Sequence, residues 1–129
     1  IGSYVHISAY TVLYGGCGIE IGDFAGLSPR CTVFSAIDDF SGNYLIGPLI
    51  DSKYRNVIGG KVTIGNFTQV GAGCVILPKV TIEEGVAIGA MSLVNSNIEA
   101  WKVAYGIPAR ISKDRSREML RNVPNVLKK

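Results

Sequence analysis

An aliphatic residue recurs at every sixth position over much of this 129-residue chain. The second half keeps one register throughout, at Ile64, Val70, Ile76, Ile82, Ile88 and Val94. The first half has the same period at Ile1, Ile7 and Leu13 and, after a two-residue insertion, at Ile21, Leu27 and Val33. A short fixed period of this kind predicts a repeat architecture, and it constrains the fold more than local propensities do.

The other positions of the six-residue unit support a short strand followed by a turn. Gly follows the aliphatic residue in Ile21-Gly22, Ile64-Gly65, Val70-Gly71 and Ile88-Gly89, and a small residue often occupies the fifth place. A period of six fits neither an α-helix nor the plain alternation of a strand, whereas Gly has the conformational freedom that a turn requires. We expect three units to form a triangular coil, with coils stacked about 4.8 Å apart around an aliphatic core.

These repeats resemble those of the hexapeptide-repeat acyltransferases, and the resemblance covers residues 1–111. It implies an all-β fold, a left-handed parallel β-helix. The segment Gly106-Ile107-Pro108-Ala109-Arg110 resembles the turn that closes many of these β-helices, with Ile107 in place of the usual Asn. Residues 112–129 are expected to form a C-terminal helix and tail, with the helix over 113–122 limited by Pro124.

Residues 36–57 interrupt the repeat, which is expected to resume by Val62. A solenoid accommodates such an insertion as an excursion from a corner, and an excursion of this length is uncommon unless it is functional. Its apolar side chains, Tyr44 and Leu49 among them, favour burial against another chain. The family resemblance implies a homotrimer, which would supply that chain.

Composition limits the remaining classes of protein. The length fits one domain, no run of eighteen apolar residues predicts a membrane span, and no signal peptide is recognised. The odd number of cysteines points to a reducing compartment, so we expect a cytoplasmic protein. Because the chain starts at Ile1 within the repeat pattern, we also expect residues to precede it. Cys17, Cys31 and Cys74 all take the fifth place of a repeat, which predicts buried thiols rather than a disulfide or a metal site.

The net charge is +3, and seven of the thirteen basic residues lie after residue 109. Such a cluster either attracts a phosphorylated ligand or forms a solvated helix end. Nucleic acid is not expected as a partner, because the rest of the chain is balanced in charge and has no recognised nucleic-acid motif.

The resemblance implies transfer of an acyl group from acetyl-coenzyme A to a hydroxyl or amine of a sugar or nucleotide-linked sugar in bacterial polysaccharide biosynthesis. This chemistry needs a base, a donor to the developing oxyanion and a groove for the thioester, which in this family lies between subunits. No metal is implied. The residues expected to contact the cofactor are two turns and the basic residues after the closing turn: Ala72, Gly73, Gly89, Ala90, Arg110 and Lys113.

His6 is the single histidine of the chain and the candidate base, because histidine titrates near neutral pH. Its sixth place in the repeat predicts an outward-facing corner, although a structural role is the alternative. Sugar O-acetyltransferases of the family often have a Ser-x-x-His-Asp-Tyr-like stretch where this chain has Asp38 and Asp39. We expect one of these carboxylates to orient His6 of a neighbouring subunit; the alternative is a turn with Asx hydrogen bonds.

Three other functions are alternatives for a chain of this kind. A γ-class carbonic anhydrase needs three His on zinc and is disfavoured by a single His. A non-catalytic scaffold of the same fold would need neither the His nor the basic tail. Acyl transfer from acyl carrier protein usually comes with more coils and a larger helical domain. The sequence chooses neither between a hydroxyl and an amine acceptor nor between sugars.

Overall fold

The computed structural model describes residues 1–128, and short strands make up most of its regular structure. The strands are His6–Ile7 (β1), Val12–Tyr14 (β2), Ile19–Ile21 (β3), Gly26–Leu27 (β4), Thr32–Phe34 (β5), Ala36–Asp38 (β6), Val57–Gly59 (β7), Val62–Ile64 (β8), Gln69–Val70 (β9), Val75–Ile76 (β10), Thr81–Ile82 (β11), Ala87–Ile88 (β12), Leu93–Val94 (β13), Lys102–Gly106 (β14) and Ala109–Asp114 (β15). The helical segments are two 3₁₀ helices, Ser52–Tyr54 and Glu118–Asn122, and one α-helix, α1, at Val123–Leu127.

The chain visits three sheets in rotation, which is the arrangement of a parallel β-helix. Sheet 1 has the order β1-β4-β9-β12-β14-β15, sheet 2 has β2-β5-β10-β13, and sheet 3 has β3-β8-β11. All pairings within these sheets are parallel except that of β14 with β15. We call the edge between sheets 3 and 1 corner 1, that between sheets 1 and 2 corner 2, and that between sheets 2 and 3 corner 3.

The predicted aliphatic core is confirmed from the second coil onward. The side chains at the repeat positions are at most 3% exposed: Ile21, Leu27, Val33, Ile64, Val70, Ile76, Ile82, Ile88 and Val94. Ile1 and Leu13 are 77% and 36% exposed, because their coil lies at the end of the stack and is covered on one side only.

The role predicted for Gly in the turn is wrong, and the structure gives a different reason for these glycines. The corner residues with positive φ come three places after the inward aliphatic residue and are mostly not Gly, as at Phe24 and Phe67. The Gly that directly follows the aliphatic residue is required because the next coil approaches closely. A Cβ at Gly65 would lie 2.7 Å from the Glu84 backbone nitrogen, and one at Gly71 would lie 2.5 Å from that of Ala90.

The excursion loop, residues 36–57, leaves and rejoins the stack at corner 3. Strands β6 and β7 pair antiparallel at its base, and the repeat resumes with β8. Cys31 and Cys74 are buried as predicted, but Cys17 is exposed, which corrects the prediction for that residue. Cys17 belongs to corner 3 of the first coil, where stacking covers only one side.

The C-terminal segment corrects the helix predicted over 113–122. Lys113 and Asp114 are extended, because β15 pairs with β14 as a hairpin. Helical structure starts at Glu118, and Pro124 lies in the first turn of α1 rather than limiting a helix. Proline suits that position because the first helical N–H groups have no partner within the helix. Lys129, which belongs to the predicted tail, lies outside the described residues.

Candidate active-site groove

A groove runs over the outer face of sheet 1, between corner 1 and the C-terminal segment. Side chains alternate along β1, β4 and β9, so that the aliphatic residue of each strand points inward and its predecessor points outward. The outward residues are in register, with His6 beside Gly26 and Gly26 beside Gln69. The groove is lined principally by Tyr4, His6, Ser8, Phe24, Gly26, Ser28, Phe67, Gln69, Arg115 and Met119.

Its place in the repeat had predicted that His6 lies at a corner. This prediction is wrong, because His6 lies within strand β1. The true corner residues come three places after the aliphatic residue, at Tyr4 and Tyr10. The prediction that the imidazole faces outward is confirmed, since His6 is exposed and lines the groove.

Stacked aromatic rings form the corner 1 edge of the groove. The centroids are 4.8 Å apart for Tyr4 and Phe24, 5.2 Å for Phe24 and Phe67, and 6.3 Å for Phe67 and Trp101. Gly85 occupies the intervening coil, and a Cβ there would overlap the Trp101 ring. We call these four rings the aromatic column.

Arg115 joins the C-terminal segment to the groove. Its Nη1 donates to the backbone oxygens of Phe67 and Gly85, at 2.9 and 3.0 Å, and its Nη2 donates to Gln69 Oε1 at 3.1 Å. Burial lowers the pKa of Arg115, but a guanidinium stays charged. Sequence reasoning had placed Arg115 in the basic tail without a groove role, because nothing in its sequence context shows that its segment folds back over corner 1.

Asp38 and Asp39 brace the excursion loop and do not contact His6 within the described chain. Asp38 Oδ1 pairs with Arg55 Nη2 at 3.0 Å, and Asp38 Oδ2 accepts from the Gly47 backbone at 3.1 Å. The hydrogen bond from Arg55 is the main cause that lowers the pKa of Asp38.

Asp39 has its own partners within the loop. Its carboxylate accepts from the backbone nitrogen of Ser41 and from Asn56 Nδ2, and these hydrogen bonds, led by Ser41, lower the pKa of Asp39. The turn with Asx hydrogen bonds, which was the alternative interpretation of these residues, is thus present, and both carboxylates have fixed partners within the loop.

The residues predicted to contact the cofactor lie at corner 2 and in the last strand. The turns at Ala72 and Ala90 stack on each other, with the Met91 N–H donating to the Ala72 oxygen at 2.8 Å. Both alanines are exposed, beside Gly73 and Gly89 in the same turns.

Arg110 and Lys113 lie in β15, opposite Tyr105 and Val103 of β14, and both are exposed. Five strand-to-strand steps separate β15 from β1, or about 24 Å along sheet 1. The structure thus gives sheet 1 a histidine at one end and two basic side chains at the other.

Other classes of site have no counterpart in the described part of the chain. Residues 1–128 contain no group of three or more His, Cys, Asp or Glu placed to hold a metal ion. None of the helices within that range is both long and apolar enough to cross a membrane.

Residues 56–96 match the family described as bacterial transferase hexapeptide (six repeats). Among curated proteins, the dTDP-4-amino-4,6-dideoxy-D-glucose acyltransferase of Escherichia coli is 39% identical over 120 residues. That match covers 93% of this chain and 62% of the E. coli protein, so the chain spans less than two thirds of that relative.

Solved structures give closer matches. A variant of AntD, an N-acyltransferase from Bacillus cereus solved with dTDP and coenzyme A, is 49% identical with a TM-score of 0.97. The match covers 99% of this chain and 70% of that one. A maltose O-acetyltransferase from Clostridium difficile is 29% identical with a TM-score of 0.76, covering 90% of this chain and 58% of that one. The repeats, the coil topology and these similarities together establish that the chain belongs to the hexapeptide-repeat acyltransferases.

Proposed function

We propose that this protein transfers an acyl group from an acyl-coenzyme A to the amine of a nucleotide-linked aminodeoxy sugar. The observation that carries the proposal is the similarity to AntD. Its Ser→Ala variant, solved with dTDP-4-amino-4,6-dideoxyglucose and coenzyme A, is 46% identical with a TM-score of 0.95, covering 98% of this chain and 70% of that one. An amine acceptor is thereby favoured over a hydroxyl.

The acyl group and the pathway are parts of the same proposal. Acetyl-coenzyme A is the donor that the family resemblance implies. The acylated sugar would then be used in bacterial polysaccharide biosynthesis. AntD has also been solved with 3-hydroxybutyryl-coenzyme A, so a longer acyl group is the alternative donor to measure.

In the proposed reaction the sugar amine attacks the thioester carbonyl carbon. The C–N bond forms, the C–S bond breaks, and coenzyme A leaves as a thiolate that takes up a proton. His6 accepts the proton that the attacking nitrogen loses, for which its exposure on the groove floor is suitable. The turns at corner 2 follow the cofactor chain, and Arg110 and Lys113 bind its phosphates.

The active assembly that we propose is a homotrimer of left-handed β-helices. Support comes from the excursion loop, where Ile46 and Leu49 are 66% and 97% exposed in the single chain. Burial of these side chains against a neighbouring subunit would remove a large apolar patch from water, and would bring Asp38 or Asp39 of that subunit toward His6. Sedimentation of a stable monomer at micromolar concentration would contradict the trimer.

The activity test uses dTDP-4-amino-4,6-dideoxyglucose as acceptor, with acetyl- and 3-hydroxybutyryl-coenzyme A as donors in turn. Release of the coenzyme A thiol is followed together with the mass of the sugar product, and dTDP-glucose, which has hydroxyls only, is the control acceptor. We expect acylation of the amino sugar alone. Equal rates with both acceptors would indicate a hydroxyl acceptor, whereas no release with any pair would favour a non-catalytic scaffold.

Replacing His6 with Ala tests the proposed base. We expect kcat to fall by roughly 10²–10⁴, the usual contribution of a general base, with the fold retained because the side chain is exposed. Thr63→Ala, an outward position on sheet 3, is the matched control. Unchanged kcat in His6→Ala would assign the histidine a structural role.

A further inference from the structure

Gly26 is a glycine that the fold itself does not require. The glycines after the aliphatic positions are needed because the next coil approaches closely, and others, such as Gly73, have positive φ. At Gly26 the φ angle is ordinary, and an added Cβ would meet only the His6 backbone oxygen, at 4.0 Å. An alanine would therefore fit here without strain or collision.

Glycine within a strand has a stability cost relative to alanine, because its backbone loses more freedom on folding. Where neither φ nor packing explains it, a strand glycine often marks a place where a ligand or another backbone comes close. Gly26 lies on the floor of the groove, which makes a ligand the relevant neighbour.

The missing side chain opens a slot between His6 and Gln69. These two residues flank Gly26 on the adjacent strands, so their Cα atoms are about 9.6 Å apart across two strand spacings. Ser8 and Ser28 line the same groove, with Tyr4 and Phe24 along one edge. Polar side chains around a flat floor with an aromatic edge suit a hydroxylated ring.

Arg115 would determine the orientation of a ligand in this slot. Its guanidinium has five N–H donors, and within the described residues three hydrogen bonds are donated from it. The remaining donors can bind an anionic substituent of the ring at the Gln69 side. A nucleophile on the opposite side of the ring would then face His6.

We propose that Gly26 determines acceptor specificity, because the sugar ring of the acceptor lies directly against its backbone, with the amine toward His6 and the diphosphate toward Arg115. This inference rests on the proposed function. It predicts that any side chain at position 26 occupies the space of the sugar ring while leaving the nucleotide and the fold undisturbed.

The test compares Gly26→Ala with Gly16→Ala, the matched control, because Gly16 also has ordinary φ and no atom within 4 Å of an added Cβ. Both variants should keep the wild-type oligomeric state and unfold at no lower temperature. For Gly26→Ala we expect the KM for dTDP-4-amino-4,6-dideoxyglucose to rise at least tenfold. The Kd of the same compound, measured by calorimetry, should rise by a similar factor. Binding of dTDP alone should change less than twofold, and Gly16→Ala should match wild type throughout.

Several outcomes would overturn the proposal. If wild type acylates the amino sugar and Gly26→Ala does so with the same KM, the ring does not lie against Gly26. A changed oligomeric state in Gly26→Ala would assign the slot to a neighbouring chain. Equal weakening of dTDP and of the amino sugar would assign it to the nucleotide. Wild type that neither binds nor acylates the amino sugar would reject the proposed function itself, and this inference with it.

Discussion

The corners of this β-helix are built by single residues in the left-handed region of φ. Most of these residues carry large side chains, such as Phe24, Arg30 and Lys79, although a left-handed conformation costs an L-residue roughly 1–2 kcal/mol. Contacts with the same corner of the next coil offset this cost, as in the stacked rings of Phe24 and Phe67. Because Gly is the residue expected at a turn, the turns predicted from the sequence lie at the wrong residues.

A corner residue must adopt a positive φ and must also fit against the next coil. Comparing Gly85 with Gly73 distinguishes these two requirements. Both have a φ of +71°, but an added Cβ would meet the rigid Trp101 ring at Gly85 and the flexible Met91 side chain at Gly73. We expect Gly73→Ala to lose about 1–2 kcal/mol from the left-handed conformation. Gly85→Ala should lose about 1–3 kcal/mol more from overpacking, as measured by urea unfolding of both variants. Equal losses would show that Trp101 moves aside at no cost.

The cysteines show what a repeat position does and does not determine. The fifth place predicted burial correctly for Cys31 and Cys74, and burial raises the pKa of both thiols. Cys17 holds the same place yet is exposed. Burial depends on coils above and below, and the period alone does not report where the stack ends.

Among the elements, the excursion loop depends most on specific polar contacts. Asp38 bonds both to Arg55 and to the backbone at Gly47, and Asp39 to Asn56. Sequence reasoning identified the two carboxylates as a unit but could not find their partners, because Arg55 and Asn56 are separated from them by the length of the loop.

The lowered pKa of Asp38 predicts how loop order depends on pH. Because the folded pKa lies below the ordinary value, the stabilisation is complete above that value and is lost as pH falls through the folded pKa, that is, below about pH 4. We expect the protection of the Gly47 amide from hydrogen exchange, corrected for intrinsic rate, to be constant from pH 5 to 8 and to fall below pH 4.

Asp38→Asn should remove that protection already at pH 7, because the Arg55 guanidinium loses its anionic partner. The matched control is Asp51→Asn in the same loop, since within the described residues the Asp51 side chain accepts one hydrogen bond, from the Lys53 backbone nitrogen, which an amide oxygen can also accept. Full protection of Gly47 in Asp38→Asn would show that the ion pair does not order the loop.

The C-terminal segment was the element least accessible from sequence. Its alternating charges permitted a helix, but backbone pairing with β14 keeps Lys113 and Asp114 extended, and the ion pair between Lys102 and Asp114 joins the two strands. The secondary structure of such a segment depends on the strand with which it pairs. A charged hairpin strand has no hydrophobic periodicity from which it could be predicted. The contribution of Arg115 to the groove was missed for the same reason.

At the scale of the whole molecule, stacking converts a repeat into a long flat surface with different chemistry at each end. The outer face of sheet 1 starts at His6 and ends at Arg110 and Lys113. The six-residue period predicted the stack and its core. It could not predict the groove, because the groove depends on outward residues such as Gln69, and the repeat does not specify the residue type at the outward positions.

The distal basic pair predicts how the protein distinguishes coenzyme A from dephospho-coenzyme A. A charge-assisted contact to the 3′-phosphate contributes about 1.5–3 kcal/mol, so wild type should bind coenzyme A roughly ten- to a hundredfold more tightly, and less so at high salt. The double variant Arg110→Ala/Lys113→Ala should lose this preference in calorimetric titrations. Arg121→Ala is the control, since Arg121 pairs with Glu118 in the exposed tail. Equal binding of both ligands to both proteins would exclude a role of the basic pair.

The gap at Gly85 in the aromatic column also bears on folding fidelity. Near-identical coils can in principle assemble in a shifted order, because most of them present the same aliphatic core and similar corners. The Trp101 ring, in the position that it occupies, would overlap a Cβ of the corner residue in the preceding coil, and within corner 1 of the described chain Gly85 is the one glycine. We therefore expect the last coil to pack in this geometry only on the coil that carries Gly85, which disfavours a stack assembled in another order.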